Sequence, residues 1–359
     1  MESVKHKNVL EYYENSNYIC ANDICSYNDK LICIDAGGCL YSYDCDKQIV
    51  ELKNNLNNEE SDTYKCRSLL RDKDICLCIP ANSNRIYIID LIEFSIVREI
   101  LLEKDYLFAL PAFVFDGDAY ILFASLDYTL FRISLESLVI EEIDDFKNKV
   151  NQFVQDINGY MALDLIHDNG SIIFGVYKSN KIIVYDLKDK ICKIAYEIDK
   201  KYRIKAAYSE VDSAYIICSL CCNKLVVITK KTKKIRVVDI DFEPYMIIVK
   251  MNEAYIVPDK LNKIKHLDLK SLEYLNDYSF IELKEKGEII NNCYIKNGNI
   301  TVLTNRGIYI INTEEDLQYL LKKSNNVIDS MVKELNISKQ KIFNENKVPL
   351  EAYMKYICR

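Results

Sequence analysis

The segment Ile182-Ile183-Val184-Tyr185-Asp186 carries the pattern that decides the fold, a β-rich run that ends at a small polar residue before a turn. The pattern recurs at residues 40–44, 86–90, 130–134, 225–229, 264–268 and 308–312. The seven copies end at residues 44, 90, 134, 186, 229, 268 and 312, so the successive steps are 46, 44, 52, 43, 39 and 44 residues. A repeat of this length is typical of a unit of four β-strands, and the uneven steps place insertions in loops.

Each copy of the pattern has the same neighbours. An apolar run precedes it across a turn, as at residues 172–176, and another run follows it, as at residues 191–198. Turns such as Asp116-Gly117-Asp118 and Asp168-Asn169-Gly170 come before the preceding run and favour tight hairpins. Small four-stranded sheets bury both faces only by packing face to face around an axis. The repeat therefore predicts an all-β fold, a seven-bladed β-propeller of four-stranded blades.

The two ends of the chain are predicted to close and extend the propeller. The seventh copy lacks a clear fourth strand, because Thr313-Glu314-Glu315-Asp316 is typical of a helix start. Residues 4–13 are predicted to supply the missing outer strand of the last blade, which gives a propeller over residues 1–312. Residues 313–359 are predicted to form a helical extension, since the apolar residues from Leu317 onward have helical spacing. This tail either docks on the ring or binds a partner.

The repeats resemble those of the WD40-like and quinoprotein-like β-propellers, and the resemblance covers residues 1–312. The chain contains no tryptophan, so it lacks the Trp-Asp dipeptide of WD40 repeats and the tryptophan docking motif of quinoprotein enzymes. The resemblance therefore implies the architecture without a pyrroloquinoline quinone site, and no cofactor is predicted. A shared fold does not carry a function with it.

Composition restricts the class of protein. Of the 359 residues, 49% are hydrophobic and 28% are charged, which is typical of a globular chain. A net charge of -7 and a pI near 5.3 argue against nucleic-acid binding, which usually needs a basic face. No apolar leader opens the chain, and no window approaches the roughly 18 apolar residues of a membrane span. We therefore expect a cytosolic protein that binds neither nucleic acid nor membranes, and its oligomeric state stays open.

The 14 cysteines are predicted to be reduced, because they are scattered through a long chain without a secretory leader. Cys218, Cys221 and Cys222 contain one CxxC spacing. A structural zinc site needs four ligands, and neither a second cysteine pair nor a histidine pair accompanies this one. We therefore predict that no metal is bound.

Strand alternation sorts the loops of a propeller into two faces. The loops between second and third strands share one face with the connections between blades, and that face receives the two longest insertions, residues 52–63 and 144–159. Long loops on a rigid scaffold commonly carry binding residues, and aromatic and arginine side chains dominate interface energetics. The candidate binding residues on this face are Arg85, Tyr128, Phe153, Tyr202, Arg203 and Arg306.

Motifs of catalysis are missing from the sequence, which has no Gly-rich phosphate loop, no HExxH and no GxSxG. Carboxylate pairs occur at Asp116 with Asp118 and at Asp144 with Asp145, but both lie in turns or an acidic loop, where solvation is their ordinary role. The sequence therefore favours a non-enzymatic scaffold whose loop face binds a protein partner. A carbohydrate-active hydrolase or lyase on a propeller and a small-ligand sensor stay open as alternatives.

Overall fold

The computed structural model describes most of the chain between residues 21 and 320. The described ranges are 21–28, 30–35, 38–44, 49–56, 66–80, 82–107, 109–124, 128–154, 161–210, 212–258, 263–279, 290–296, 299–304, 308–312 and 318–320.

The described strands form seven four-stranded sheets, and each sheet takes four strands that are consecutive in the chain. Sheet 1 contains β1 (Ala21–Tyr27), β2 (Lys30–Asp35), β3 (Cys39–Asp44) and β4 (Ile49–Asn55), and sheet 2 contains β5 (Cys66–Asp72), β6 (Ile75–Pro80), β7 (Asn82–Asp90) and β8 (Ile96–Leu107). Sheet 3 contains β9 (Phe113–Phe115), β10 (Asp118–Phe123), β11 (Thr129–Ser134) and β12 (Ile140–Glu142), and sheet 4 contains β13 (Ile166–Asp168), β14 (Ser171–Gly175), β15 (Lys181–Asp186) and β16 (Cys192–Glu197). Sheet 5 contains β17 (Ile204–Tyr208), β18 (Tyr215–Leu220), β19 (Lys224–Thr229) and β20 (Ile235–Asp239), and sheet 6 contains β21 (Pro244–Lys250), β22 (Glu253–Pro258), β23 (Lys263–Asp268) and β24 (Tyr274–Ser279). Sheet 7 contains β25 (Ile290–Lys296), β26 (Asn299–Thr304), β27 (Ile308–Asn312) and β28 (Gln318–Leu320).

Neighbouring strands are antiparallel wherever their register is described. Each signature segment found in the sequence lies in the third strand of its sheet. The predicted all-β fold of repeated four-stranded sheets is therefore confirmed, and it is of a β-propeller-like type.

The chain divides into two compact units. The first contains Met1–Asp105 together with Glu288–Arg359, and the second contains Tyr106–Gly287. Sheets 1, 2 and 7 belong to the first unit and sheets 3 to 6 to the second, while β8 runs across the boundary between them.

In the second unit, the central strands are buried on both faces. All six residues of β18 are buried, whereas the outer strands β16 and β20 are largely exposed. One apolar cluster joins Ile173 of sheet 4 to Ile204 and Val226 of sheet 5, and another joins Val227 of sheet 5 to Ile256 of sheet 6. Sheets 4, 5 and 6 therefore pack face to face in chain order.

In the first unit, sheets 1 and 2 share a further apolar cluster that includes Ile34 and Tyr87. A buried carboxylate reinforces this contact, since Asp23 accepts a hydrogen bond of 2.6 Å from the backbone N–H of Leu69. Burial makes such a charge-assisted bond stronger than it would be in water. Sheets 1 and 2 are thus joined by packing and by a polar tie at their inner strands.

The last sheet corrects the prediction for its outer strand. β28 pairs with β27, as in the register Ile310↔Tyr319, so sheet 7 takes its fourth strand from a segment that the sequence assigned to a helix. Leu317, Tyr319 and Leu321 alternate with a period of two as well as following a helical stripe, and short apolar runs do not distinguish the two periods. The closing strand predicted at residues 4–13 lies outside the described residues, as does the predicted helical tail.

The two long insertions are also less irregular than predicted. Residues 52–55 belong to β4, and residues 57–65 lie outside the described part of the chain. The insertion 144–159 contains a short helix, α1 (Asp145–Asn151), whose Phe146 and Val150 are fully buried. Within the described ranges, no helix has the length and apolar character needed to cross a membrane.

Two hairpins in sheets 3 and 4 show why their turns need glycine. The turn Asp116-Gly117 has φ values of 52° and 82°, and the turn Asn169-Gly170 has values of 46° and 81°. Positive φ at both central residues is the type I′ turn that matches the twist of two-residue hairpins. The two glycines differ in their surroundings, because a Cβ on Gly170 would lie 2.6 Å from the Phe115 ring, whereas a Cβ on Gly117 would meet nothing within 4 Å.

This difference supplies a matched pair of variants. Gly117→Ala and Gly170→Ala should each lose about 1–2 kcal/mol of unfolding free energy, because alanine is strained in the left-handed region. Gly170→Ala should lose a further ~1–3 kcal/mol, because its methyl group overlaps the Phe115 ring. Denaturant unfolding of both variants measures the difference, and equal losses would contradict the close approach of Phe115.

Candidate binding surface on the second unit

Three loops of sheets 4 and 5 are joined by backbone hydrogen bonds. The turn after β14 contacts the connection between the sheets through two hydrogen bonds of 2.8 Å. The N–H of Lys178 donates to the carbonyl of Ile204, and the N–H of Ile204 donates to the carbonyl of Ser179. The turn after β18 joins them, since the N–H of Cys221 donates to the carbonyl of Arg203 at 2.9 Å. These bonds bring together three loops that carry six residues, which we call the loop patch: Tyr177, Lys178, Tyr202, Arg203, Cys221 and Cys222.

The turn after β14 keeps its shape through hydrogen bonds of side chains that lie outside the patch. Lys178 has a φ of 55°, and the Ser179 hydroxyl accepts a hydrogen bond of 3.0 Å from the N–H of Lys181. The Asn180 amide donates to the carbonyl of Ile198 at 2.9 Å, which ties the turn to the connection between the sheets. The backbone of the patch is therefore fixed, while Lys178 and Arg203 are exposed to solvent.

Two tyrosines of the patch lie beside cations. The Lys178 ammonium lies 5.1 Å from the centroid of the Tyr177 ring, and the Lys201 ammonium lies 4.9 Å from that of Tyr202. Both tyrosines are half-buried, so each ring has one side in the protein and one in reach of solvent. Cation–π contacts of this kind hold an aromatic ring in place before a partner binds. The ring therefore loses little mobility when the complex forms.

The Arg203 guanidinium is held by its own loop. Its Nη1 donates to the carbonyls of Lys200 at 2.6 Å and Tyr202 at 3.2 Å. No carboxylate of the described residues forms an ion pair with Arg203 or with Lys178. A guanidinium oriented in this way keeps further donors for a planar acceptor such as a carboxylate.

The lysines around the patch are neutralised by their own acidic partners. Lys201 forms an ion pair with Asp199 at 3.2 Å, Lys205 forms one with Glu243 at 2.8 Å, and Lys224 pairs with Asp239. The hydrogen bond from Lys224 to Asp239 raises the pKa of this lysine. Partial burial raises the pKa of Cys221, while the positive charges of Lys205 and Lys178 act in the opposite direction.

The structure brings only two of the six predicted binding residues into this patch, Tyr202 and Arg203. Tyr128 and Phe153 lie near α1. Tyr128 is 4% exposed and its hydroxyl donates to Asn151, and the main-chain carbonyl of Phe153 accepts a hydrogen bond from Lys181 at 3.2 Å. Burial raises the pKa of Tyr128 to about 12.

The two remaining predicted residues lie in the first unit or outside the described ranges. Arg85 is in β7 of the first unit and forms an ion pair of 3.5 Å with Glu99, and Arg306 falls outside the described residues. The sequence argument missed Tyr177, Lys178 and the exposed pair Cys221 and Cys222. An aromatic residue followed by a lysine in a turn between second and third strands was the available signal.

One member of each carboxylate pair noted in the sequence forms a local ion pair. Asp118 lies 3.5 Å from Arg132, and Asp145 pairs with Lys149 one helical turn away. Asp116 lies in the left-handed region of a type I′ turn. These contacts assign the carboxylates to turns and to a helix end rather than to a convergent acid pair.

A second polar cluster, around His167, lies at the opposite ends of these strands. The His167 ring stacks on Phe113 with centroids 4.2 Å apart and meets Phe115 edge-on at 5.3 Å. Its Nε2 accepts a hydrogen bond of 3.2 Å from the N–H of Gly170, which requires a neutral ring with an unprotonated Nε2. Burial lowers the pKa of His167, and the charge of Asp168 opposes this shift. The cluster joins sheet 3 to sheet 4 and is structural.

The pKa of His167 gives a pH dependence of stability. Because the folded pKa is below the ordinary value of about 6.5, the unfolded chain binds the proton more tightly. The stabilisation is complete above that value and is lost as the pH falls through the folded pKa. The melting temperature of the wild type should therefore decrease more between about pH 7.5 and pH 5 than that of His167→Phe, which keeps a stacking ring. Parallel pH profiles would refute the assignment.

The thiols divide into exposed and buried groups. The ten cysteines whose side chains the structure describes are free, and the described residues contain no group of three His, Cys, Asp or Glu side chains that could hold a metal. Cys66, Cys76 and Cys78 are fully buried in the first unit. Hydrogen bonds from the thiols of Cys25 and Cys78 lower the pKa of Cys76, whereas burial raises that of Cys78.

Alkylation of the folded protein should follow this division. Iodoacetamide should modify Cys222 first and Cys221 more slowly, because both are exposed but the thiol pKa of Cys221 is raised. Cys66, Cys76 and Cys78 should react only in denaturant. Peptide mass spectrometry after a short reaction measures the order, and early labelling of the three buried thiols would overturn it.

Comparison with known proteins supports the fold and gives no family. No known family and no curated protein matches the sequence. Among solved structures, the computationally designed protein Ika8 aligns with a TM-score of 0.55 and 10% identity, covering 89% of this chain and 91% of its own. PorZ, an essential surface component of the type-IX secretion system of Porphyromonas gingivalis, aligns with a TM-score of 0.57 and 10% identity over 85% of this chain. This chain covers 38% of PorZ, and at such identity both likenesses concern the fold alone.

Proposed function

We propose that this chain is a non-enzymatic interaction module that binds a protein partner through the loop patch. The observation that carries the proposal is the pair of exposed cations, Lys178 and Arg203, set between two half-buried tyrosines on a fixed backbone. Tyrosine and arginine are the residue types that contribute most to protein interfaces, and loops on a rigid scaffold are their usual position. We keep the predicted cytosolic location as part of this proposal.

We further propose that the seven sheets are the blades of one closed propeller. Each sheet with described packing presents apolar residues to its neighbour, and a ring is the arrangement that leaves no apolar outer face. Because sheet 7 has a fourth strand of its own, this closure does not depend on a strand from residues 4–13.

The proposed function is tested by removing the two exposed cations Lys178 and Arg203. A Lys178→Ala/Arg203→Ala variant should capture partners from a cell extract at least about tenfold less than the wild type, which corresponds to about 1.4 kcal/mol. Quantitative mass spectrometry of affinity-purified samples measures the capture. The matched control is Lys188→Ala/Lys231→Ala, which removes the same charge from exposed turns that follow third strands.

Two outcomes would count against the loop patch. Equal losses in both variants would mean that net charge alone determines the capture. Unchanged capture by the patch variant, together with loss on truncation after Leu320, would transfer the binding site to the C-terminal segment. Thermal melting of each variant confirms that the sheets are intact before either outcome is interpreted.

A further inference from the structure

The charges of the loop patch are unevenly satisfied. Three lysines at its rim have their own carboxylates, Asp199, Asp239 and Glu243, within the described structure. Lys178 and Arg203 have none among the described residues, although both are exposed. The patch therefore contains two positive charges with no carboxylate partner among the described residues and a rim whose lysines are paired with carboxylates.

The two central cations are carried by loops that are bonded to each other. The N–H of Lys178 donates to the carbonyl of Ile204, the N–H of Ile204 donates to the carbonyl of Ser179, and Arg203 is the residue before Ile204. The Arg203 guanidinium is anchored through Nη1, so its Nε and Nη2 keep their donors for another molecule. Lys178 supplies a mobile ammonium, and Arg203 supplies a planar fork that matches a carboxylate.

The rim limits which anions fit. A nucleic acid presents a continuous row of phosphates, which needs a row of cations, but the rim lysines Lys201, Lys205 and Lys224 are already paired with carboxylates. The chain as a whole has a net charge of -7, which opposes binding of a long polyanion. A peptide with two neighbouring carboxylates needs only the two central cations, and its apolar groups can contact Tyr177 and Tyr202.

We infer that the loop patch recognises an acidic segment of a protein, in which adjacent Glu or Asp side chains bind Lys178 and Arg203 and the flanking residues pack on Tyr177 and Tyr202. The inference rests on the proposed function and specifies its partner. The paired rim adds specificity, because it offers an extended polyanion no further cation without its own carboxylate, and specificity is a difference between the affinities for two ligands.

A synthetic peptide array tests the inference. Each spot carries two fixed central residues, Glu-Glu, Gln-Gln or Lys-Lys, within a degenerate background, and a further spot carries oligothymidylate. The full-length protein should be retained on Glu-Glu spots about tenfold more than on Gln-Gln spots, with the excess decreasing at high salt. Lys178→Gln and Arg203→Gln should each abolish the preference, whereas Lys188→Gln should keep it.

Charge reversal provides a gain of binding that unfolding cannot imitate. Lys178→Glu/Arg203→Glu should prefer Lys-Lys spots over Glu-Glu spots, because the central charges of the patch are then negative. Retention on oligothymidylate above Glu-Glu would overturn the inference in favour of a nucleic acid. Absence of any Glu-Glu preference would overturn it as well.

The array and the extract capture separate this inference from the proposed function. If capture depends on Lys178 and Arg203 while the array shows no acidic preference, the proposal of a protein partner stands and the inference that this partner is acidic is wrong. If neither experiment depends on these residues, both the partner class and the binding surface are wrong.

Discussion

The structure depends on one constraint, which is that both faces of a small sheet must be buried. All six residues of β18 are buried for this reason. A four-stranded sheet has too little area to shield its own apolar side chains, so sheets 4 and 6 must cover sheet 5 from either side. The strand interiors are then unavailable to any ligand in the described part of the second unit. A ligand of these sheets would have to contact the ends of the strands, where the turns and the connections between sheets lie.

The two ends of these strands have different structural roles. At the end with the first-to-second-strand turns, side chains hold the sheets together: His167 stacks on Phe113, Lys230 pairs with Asp168 at 2.8 Å, and the Ser213 hydroxyl donates to the carbonyl of Met251 at 2.8 Å. At the other end the backbone itself joins the loops of sheets 4 and 5. Main-chain groups make much of the contact between these loops, so Lys178 and Arg203 can be exposed without a carboxylate partner among the described residues.

The repeated sheets could be predicted from the sequence because their signals are local and occur seven times. A β-rich third strand and an Asn-Gly or Asp-Gly turn each follow from backbone preferences of a few residues, and the positive φ values at Asp116-Gly117 and Asn169-Gly170 confirm the turns. The strand β28 and the helix α1 were missed, since a run as short as Gln318–Leu320 fits two periods and tertiary packing of Phe146 decides the helix.

The proposed binding surface was less predictable, because its composition depends on contacts between loops that are distant in sequence. Lys178 and Arg203 meet only after two sheets have packed, and no spacing rule encodes that meeting. Residue type alone does not indicate exposure: Tyr128 is aromatic and lies in the expected region, yet it is buried and its hydroxyl donates to Asn151 of α1. A preference for arginine and aromatic side chains selects residue types, and solvent exposure must then be known to select among them.

Main-chain groups join the loops. The hydrogen bonds that stabilise this surface therefore do not depend on the side chains that would give it specificity. Every residue except proline supplies the same N–H and C=O groups, so Lys178, Arg203 and Cys221 can be replaced over evolutionary time without loss of the hydrogen bonds that hold their loops together. Surfaces built in this way can diverge quickly while the frame beneath them persists. Descendants of one ancestral chain could then recognise unrelated partners with superimposable backbones, much as antibody loops do on a constant framework.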